Sequence, residues 1–585
     1  MLVKVNQLPD LKNESVILDT ETTGLNQMVD KPFMVAIEVG SKIYSVQWRP
    51  EVAAYLQDQL PTAKEIIGHN IKFDMHMAIQ GGMKDTIPGR CKLVDTAVNA
   101  SLINEWEERY DLGSLGTKYV GMGKSSGILW AWLASIFGGP ASKVQMCNLS
   151  KAPIEGVVSY CEDDIKVTRA LHDWQRKELI KQELSDIFKI ECNAISTLLD
   201  MERHGVKVDL EALNKTKERF QITYAQNVAD IVKLVGHEVN TLSAPQMVEA
   251  FMKLGLELPK VRGKLSFARD QLELISHPFA QLVIVNRMIR KMQNTFVEGL
   301  VPHILNGRVH TNFNQVRGDD YGTGTGRLSS NDPNMQQTPK RNKEAASIVR
   351  SLFIPEEGQV WLAPDWSQFE FRIFAHYSRD ENIIDAYHKN PKMDYHQACA
   401  DLTGVARNPY AKQINLGLVF GMGEGKLAKI LGLPYTIIQK YNKDVLLPGK
   451  EAKDIFTKYH TAIPNVKSFL SQAQNVARTR GYVKTLLGRH LRFPGGTFTH
   501  KAGGLVFQGT AADFMKQKLP LINSAVKEFG AKLLLVIHDE YDISGPDDPK
   551  LKAAVKEIME DIPQLRVPIV ANVGVGPNWW EASKG

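Results

Sequence analysis

At 585 residues the chain has room for roughly three to four domains. Its 43% hydrophobic, 23% charged and 8% aromatic content excludes a mainly disordered or fibrous protein. Five cysteines (Cys91, Cys147, Cys161, Cys192, Cys399) with no CxxC pair argue against both a disulfide framework and a structural zinc site. The net charge of +6 is uneven, with −3 over residues 1–190 and +9 over the rest. A basic C-terminal body suits a polyanion such as nucleic acid, and the acidic N-terminal part offers carboxylates for metal binding. The longest uncharged, mostly apolar stretch, Gly127 to Gly139, has 13 residues, too few to cross a bilayer. The first residues lack a signal-peptide apolar region. The expectation is a cytoplasmic protein with no membrane partner.

No internal repeat, low-complexity tract or long linker interrupts the chain. Val16 to Leu18, Met34 to Val39 and Ile43 to Trp48 read as strands, and Asn70 to Gln80 and Ala152 to Arg176 as helices, an α/β layer. Residues 185–300 read as mostly helical, with a polar, Gly-containing interruption near 255–268. From about 305 strands and helices mix. Gln359 to Ala363 reads as a buried strand and Pro409 to Phe420 as a helix with proline near its first turn. Lys532 to Ile537 and Glu540 to Ser544 read as strands joined tightly at His538-Asp539.

Asp19 and Glu21, in Leu18-Asp19-Thr20-Glu21-Thr22-Thr23-Gly24, close an apolar strand and share one face, so both can bind one divalent cation. Gly68-His69-Asn70-Ile71-Lys72-Phe73-Asp74 adds a third acid on a helix. Tyr160-Cys161-Glu162-Asp163-Asp164 adds a fourth, with Tyr160 one helical turn before Asp164. Four such acids suit two hard cations that activate a water and clamp a phosphate. The order DxE, NxxxD, YxxxD over roughly residues 1–180 resembles the 3′→5′ exonuclease domain of the DnaQ-like superfamily. The resemblance implies Asp19, Glu21, Asp74 and Asp164 as metal ligands and Tyr160 as the residue orienting the attacking water. A phenol with a pKa near 10 is a poor base at neutral pH. Asp95 sits in a familiar string and is expected to support structure.

In the C-terminal half, Asp365 ends a buried strand (Trp361-Leu362-Ala363-Pro364-Asp365) and Asp539 sits in the tight turn Val536-Ile537-His538-Asp539-Glu540. Two carboxylates on adjacent strand ends can hold two Mg²⁺ about 3.5–4 Å apart. Between them, Lys412, Leu416 and Phe420 fall at i, i+4 and i+8 on one helical face, a cation with two apolar residues that can meet a triphosphate and a base.

These strings resemble motifs A, B and C of family-A DNA polymerases, the bacterial polymerase I and phage replicative group. Thr325-Gly326-Arg327-Leu328-Ser329-Ser330 with Asp332-Pro333-Asn334-Met335-Gln336, Gly481-Tyr482-Val483 with Gly488-Arg489, Gln508-Gly509-Thr510-Ala511-Ala512-Asp513, and Arg287 to Phe296 as a thumb helix extend the match over roughly 190–585. The layout is Klenow-like, without the family's separate 5′-nuclease domain. The implied fold class is an α/β exonuclease domain (RNase H-like sheet with helices) followed by an α+β right-hand polymerase domain. The expected segments are exonuclease 1–190, thumb 191–304, first part of the palm 305–379, fingers 380–480 and second part of the palm 481–585.

The resemblance implies a template-directed DNA polymerase adding dNTPs by two-metal phosphoryl transfer, with proofreading, acting in phage replication. A bacterial-type repair polymerase, or an exonuclease whose C-terminal body only grips DNA, are the alternatives. Implied partners are primer-template DNA and dNTPs, with other replisome proteins, and the enzyme is expected to be a monomer. Two Mg²⁺ serve each active site, with Mn²⁺ as substitute. Asp365 and Asp539 would hold the polymerase ions, with Glu540 an ancillary acid near the primer end. Lys412 and His396 would face the triphosphate. Glu370 would be the steric gate that fills the space of a ribose 2′-OH, and Arg327 and Gln508 would donate to minor-groove acceptors at the primer end.

Departures from the family set expectations of their own. Leu416 replaces an aromatic residue, which predicts strong discrimination against dideoxynucleotides. Phe420 replaces a tyrosine whose hydroxyl can bond the gate glutamate, so Glu370 needs another partner and ribonucleotide exclusion is expected to loosen. The family's arginine four residues before Lys412 is Asn408 here. Pro409 can shift the helix start so that Arg407 reaches the phosphates. Trp366 replaces a tyrosine, His500 and Lys501 stand where an arginine is usual, and the thumb tip near 236–275 lacks a long insertion.

Overall fold

The computed structural model describes residues 2–84, 92–123, 127–261, 263–316, 324–340, 342–440 and 443–584. Cys91 and the side chain of Asn408 fall outside these, and the other four cysteines are free thiols. Strand β1 (Ser15–Thr22) is central to a five-stranded sheet of order β3-β2-β1-β4-β5. β2 (Pro32–Val39) and β3 (Lys42–Gln47) run antiparallel on one side, and β4 (Glu65–Gly68) and β5 (Lys92–Asp95) parallel on the other. Alternation divides β1 between two cores. Val16 and Leu18 pack with Ile71 and Met75 of helix α1 (Ile71–Gln80), whereas Ile17 packs with Cys161 and Ile165 of helix α2 (Ile154–Lys181).

Helix α3 (Ser185–His204) ties this layer to the rest of the chain. Its Ile195 and Leu199 belong to one exonuclease-side core, Cys192 to the other, and Ala194, Leu198 and Met201 to the large C-terminal core. The division expected at 190/191 therefore falls inside one continuous helix. Beyond it, α4 (Leu210–Val235) and α5 (Pro278–Lys291) close a smaller core around Phe251, Phe279 and Val283.

The C-terminal body is built on an antiparallel sheet. Before it, β6 (Asn312–Asn314) pairs with β7 (Ser329–Asn331). The main sheet uses β8 (Val360–Trp366), and helices α6 (Phe369–Ser378), α7 (Tyr395–Thr403) and α8 (Lys412–Val419) follow it. A hairpin of β9 (Tyr435–Lys440) and β10 (Lys443–Pro448) comes next, and then the long α9 (Ala502–Glu528). β11 (Lys532–Ile537), β12 (Glu540–Gly545) and β13 (Ala571–Gly576) complete the sheet in the order β11-β12-β8-β13. Pro364 has no N–H to give, and the β8–β12 ladder skips Ala363 and Pro364 and resumes at Asp365 opposite Glu540. The helix expected over Pro409 to Phe420 begins as a π turn, Arg407–Ala411, with Ala411 N–H bonded to Ala406 O at 3.1 Å, before α8 proper. The proline, which lacks a donor, sits inside that wide turn. Among the described residues no helix is long and apolar enough to cross a membrane.

Candidate active sites

The parity of β1 places the first site. Residues 17, 19 and 21 share the face covered by α2, so Asp19 and Glu21 meet Asp164, with carboxylate oxygens of all three within 4.8 Å of one another. An all-oxygen set of this kind suits Mg²⁺ or Mn²⁺. Asp74 does not join this group. Thr20 points to the other face, and both its N–H (2.9 Å) and its hydroxyl (2.7 Å) donate to Asp74 Oδ1. Burial pushes the Asp74 carboxyl up to about 7 despite those bonds. Tyr160 is buried against Trp130, ring centroids 5.6 Å apart. Burial and the neighbouring Asp164, Glu21 and Asp19 raise its phenol far above 10, so it stays protonated and can orient a water without acting as its base. Asp95 caps the helix after β5, accepting from Ala97 N–H (2.8 Å), and also binds Asn70 N–H (3.1 Å). It supports structure. A cleft of about 770 Å³ lies beside the acids, lined by Lys72, Arg109 and Lys143 and, from the C-terminal body, Asn312, Asn314 and Asn331.

The second site forms where β8 and β12 open. His538, at φ 59°, turns the chain, and Trp366 N–H donates to Asp539 O at 3.3 Å, which sets Asp539 beside Asp365. Asp365 Oδ1 is buried without a hydrogen-bond partner. Burial and the charge of Asp539 hold its carboxyl well above the usual range, with Lys340 opposing them. A buried acceptor with no donor beside a second acid fits a divalent cation.

Glu540, the expected ancillary acid, is already engaged by basic and indole groups. It is 2% exposed, accepts from Lys340 Nζ (2.8 Å) and Trp579 Nε1 (3.1 Å), and lies 3.5 Å from Arg350 Nη1. Burial alone would raise its carboxyl, but Lys340 and Arg350 outweigh it and hold the group down. Neither Lys340 nor Arg350 was expected from the sequence. Lys340 follows a proline in the basic run Lys340-Arg341-Asn342-Lys343, and Arg350 ends an amphipathic helix with nothing local to mark its 1% exposure.

Around the acids, Lys412 is exposed at the start of α8, and Leu416 and Phe420 are half-buried along the same stripe. Phe420 packs so closely on α9 that a Cβ at Gly504 would lie 2.8 Å from its ring. Gln508, one turn on, is half-buried. Glu370 lies in the first turn of α6 and accepts from Arg327 Nη2. Burial raises the Glu370 carboxyl against the pull of Arg327. His396 is buried with Nδ1 3.1 Å from Asn415 Nδ2, and burial with Lys412 nearby lowers it to about 4, so the ring is neutral. Arg407 is bound to Asp394 (Nε to Oδ2, 2.8 Å), the cap of α7. Trp366 is buried, stacked on Phe369 and bonded to Met559 O at 2.7 Å.

Two acids at adjacent strand ends and a separate three-acid cluster are the carboxylate arrangements that phosphoryl-transfer enzymes use. The family model for DNA polymerase family A matches residues 210–581, and that for a 3′-5′ exonuclease matches residues 5–180. The chain belongs to DNA polymerase family A and carries a 3′-5′ exonuclease domain ahead of the polymerase body. It is 39% identical to DNA polymerase DpoZ of Acinetobacter phage SH-Ab 15497, covering 97% of both chains, and 39% identical to DNA polymerase DpoZ of Salmonella phage PMBT28, covering 98% of both. The solved polymerase domain of Pol1 from M. smegmatis, in complex with DNA primer-template and dNTP, superposes with a TM-score of 0.79 at 25% identity, over 98% of this chain and 96% of that one.

Proposed function

We propose that this enzyme replicates phage DNA, extending a primer 3′ end with dNTPs at Asp365 and Asp539 and removing mispaired ends at Asp19, Glu21 and Asp164. The observation that carries the polymerase half is the buried, unpartnered Asp365 Oδ1 beside Asp539. Residues around 305–379 and 481–585 form the palm in this reading, 380–480 the fingers and the helices after α3 the thumb. Mg²⁺ or Mn²⁺ bound at each acid set neutralises charge and acidifies the attacking hydroxyl or water. The protein's own groups do the rest. Lys412 meets the triphosphate, and neutral His396 donates a single N–H to it. Arg407 completes that side if it exchanges Asp394 for phosphate. Glu370 fills the volume beside the sugar's C2′, Leu416 packs against the sugar, and Phe420 backs it. Arg327 and Gln508 donate to the N3 and O2 acceptors that every correct pair presents. Tyr160 orients the water for hydrolysis, and Asp74 holds β1 at Thr20, the residue between Asp19 and Glu21.

The test is primer extension with Asp365→Asn. The account expects extension to fall by at least about 10³-fold while degradation of single-stranded DNA persists. Extension within about tenfold of wild type would overturn the assignment.

A further inference from the structure

Glu370 is held by a residue that the chemistry of the site does not require there. Its Oε1 accepts from Arg327 Nη2, and the two side chains are 24% and 30% exposed. Position 420, just past α8, is phenylalanine and offers no hydroxyl. The arginine is itself firmly based. Gly326 stands at φ +80°, and a Cβ there would lie 2.4 Å from Arg489 Nε. Arg489 in turn donates to Asp513 Oδ1 at 2.7 Å and to Glu191. The loop that carries Arg327 therefore rests on a buried, multiply bonded guanidinium.

We infer that Arg327 sets the sugar selectivity of the polymerase site by fixing the Glu370 carboxylate in the volume a ribose 2′-OH would occupy. This rests on the reading of Glu370 as the group beside C2′. Arg327 acts through Glu370 and is a positioning residue. A free glutamate samples several staggered rotamers, and most of them vacate that volume. A charge-assisted bond to a planar guanidinium selects one. Because guanidinium offers five donors, one can stay on Glu370 while others face a base acceptor at the primer end. A correctly seated primer then leaves the gate locked, and the two tasks share one side chain.

The experiment measures the ratio of kcat/KM for dATP over ATP in primer extension. Four enzymes are compared: wild type, Arg327→Met, Glu370→Ala, and Arg327→Met with Phe420→Tyr. The bond is partly solvated, so its loss is expected to lower the ratio about tenfold in Arg327→Met. Phe420→Tyr in that background supplies a hydroxyl for Glu370 and is expected to recover at least about threefold. A ratio within about twofold of wild type in Arg327→Met, with Glu370→Ala relaxed, overturns the inference, because the arginine then serves only the primer end. A double variant as relaxed as Arg327→Met overturns it too. An unchanged ratio in Glu370→Ala removes the gate reading itself, and the inference falls with it.

Discussion

Replacing Glu191 by alanine should cost a large part of the stability that ties the two halves together. Glu191, on α3, is 1% exposed and accepts from Lys516 Nζ (2.6 Å), Gln315 Nε2 (2.6 Å) and Arg489. Asp513 completes the set on α9, and the four ionised side chains are neutral together. Burial would raise the Glu191 carboxyl, but Lys516 and Arg489 outweigh it and hold it at about 2, below its usual 4.5. A displacement of that size corresponds to about 3 kcal/mol, and stripping one partner from a buried ion network costs about 3–5 kcal/mol. Urea unfolding of Glu191→Ala should show a loss of about 3–4 kcal/mol.

Because its pKa is depressed on folding, Glu191 contributes fully above about pH 4.5 and loses that contribution as pH falls toward 2. The gap between wild type and variant should narrow over that acid range. Adding Lys516→Met leaves Arg489 facing Asp513 as a neutral pair. The double variant should then be about 2 kcal/mol more stable than the sum of the single losses predicts. A loss below about 1 kcal/mol in Glu191→Ala, or strict additivity, would refute the reasoning.

Glu540→Gln leaves Lys340 and Arg350 with a weaker acceptor and should lower stability by about 2–3 kcal/mol in thermal unfolding. An unchanged midpoint would show that the carboxylate charge is not needed there. Leu416 offers no hydroxyl beside the sugar, so the wild type should strongly prefer dTTP to ddTTP, and Leu416→Tyr should narrow that preference by about tenfold or more in single-nucleotide incorporation. The basic excess of the C-terminal body should make duplex binding salt-dependent, with Kd rising about 10³-fold between 50 and 200 mM salt in a fluorescence titration. A flat profile would place the duplex on uncharged surface.

What could be read from the sequence followed from local periodicity. Strand parity alone put Asp19 and Glu21 on one face, and the apolar run ending at Asp365 marked the strand that carries it. Asp74 shows where this stops. Its helix was legible, but which face of β1 that helix covers depends on sheet order, so its separation from Asp19, Glu21 and Asp164 was not. The family resemblance gave Glu540 its place as an ancillary acid, but its partners come from residues 340, 350 and 579, far apart in the chain, and no local pattern shows them. The Arg327–Glu370 pair spans 43 residues and leaves no local trace. The hairpin of β9 and β10 carries exposed Tyr435, Ile437 and Ile438. That apolar character without burial gave no periodic signal.

The central claim is that one chain holds two separable active sites. The direct measurement is primer extension with Mg²⁺ and four dNTPs on matched and 3′-mismatched primers, using wild type, Asp539→Ala and Asp19→Ala. The account predicts extension lost only in Asp539→Ala and mismatch removal lost only in Asp19→Ala. Degradation without extension by the wild type, or one substitution abolishing both activities in a folded enzyme, would contradict it.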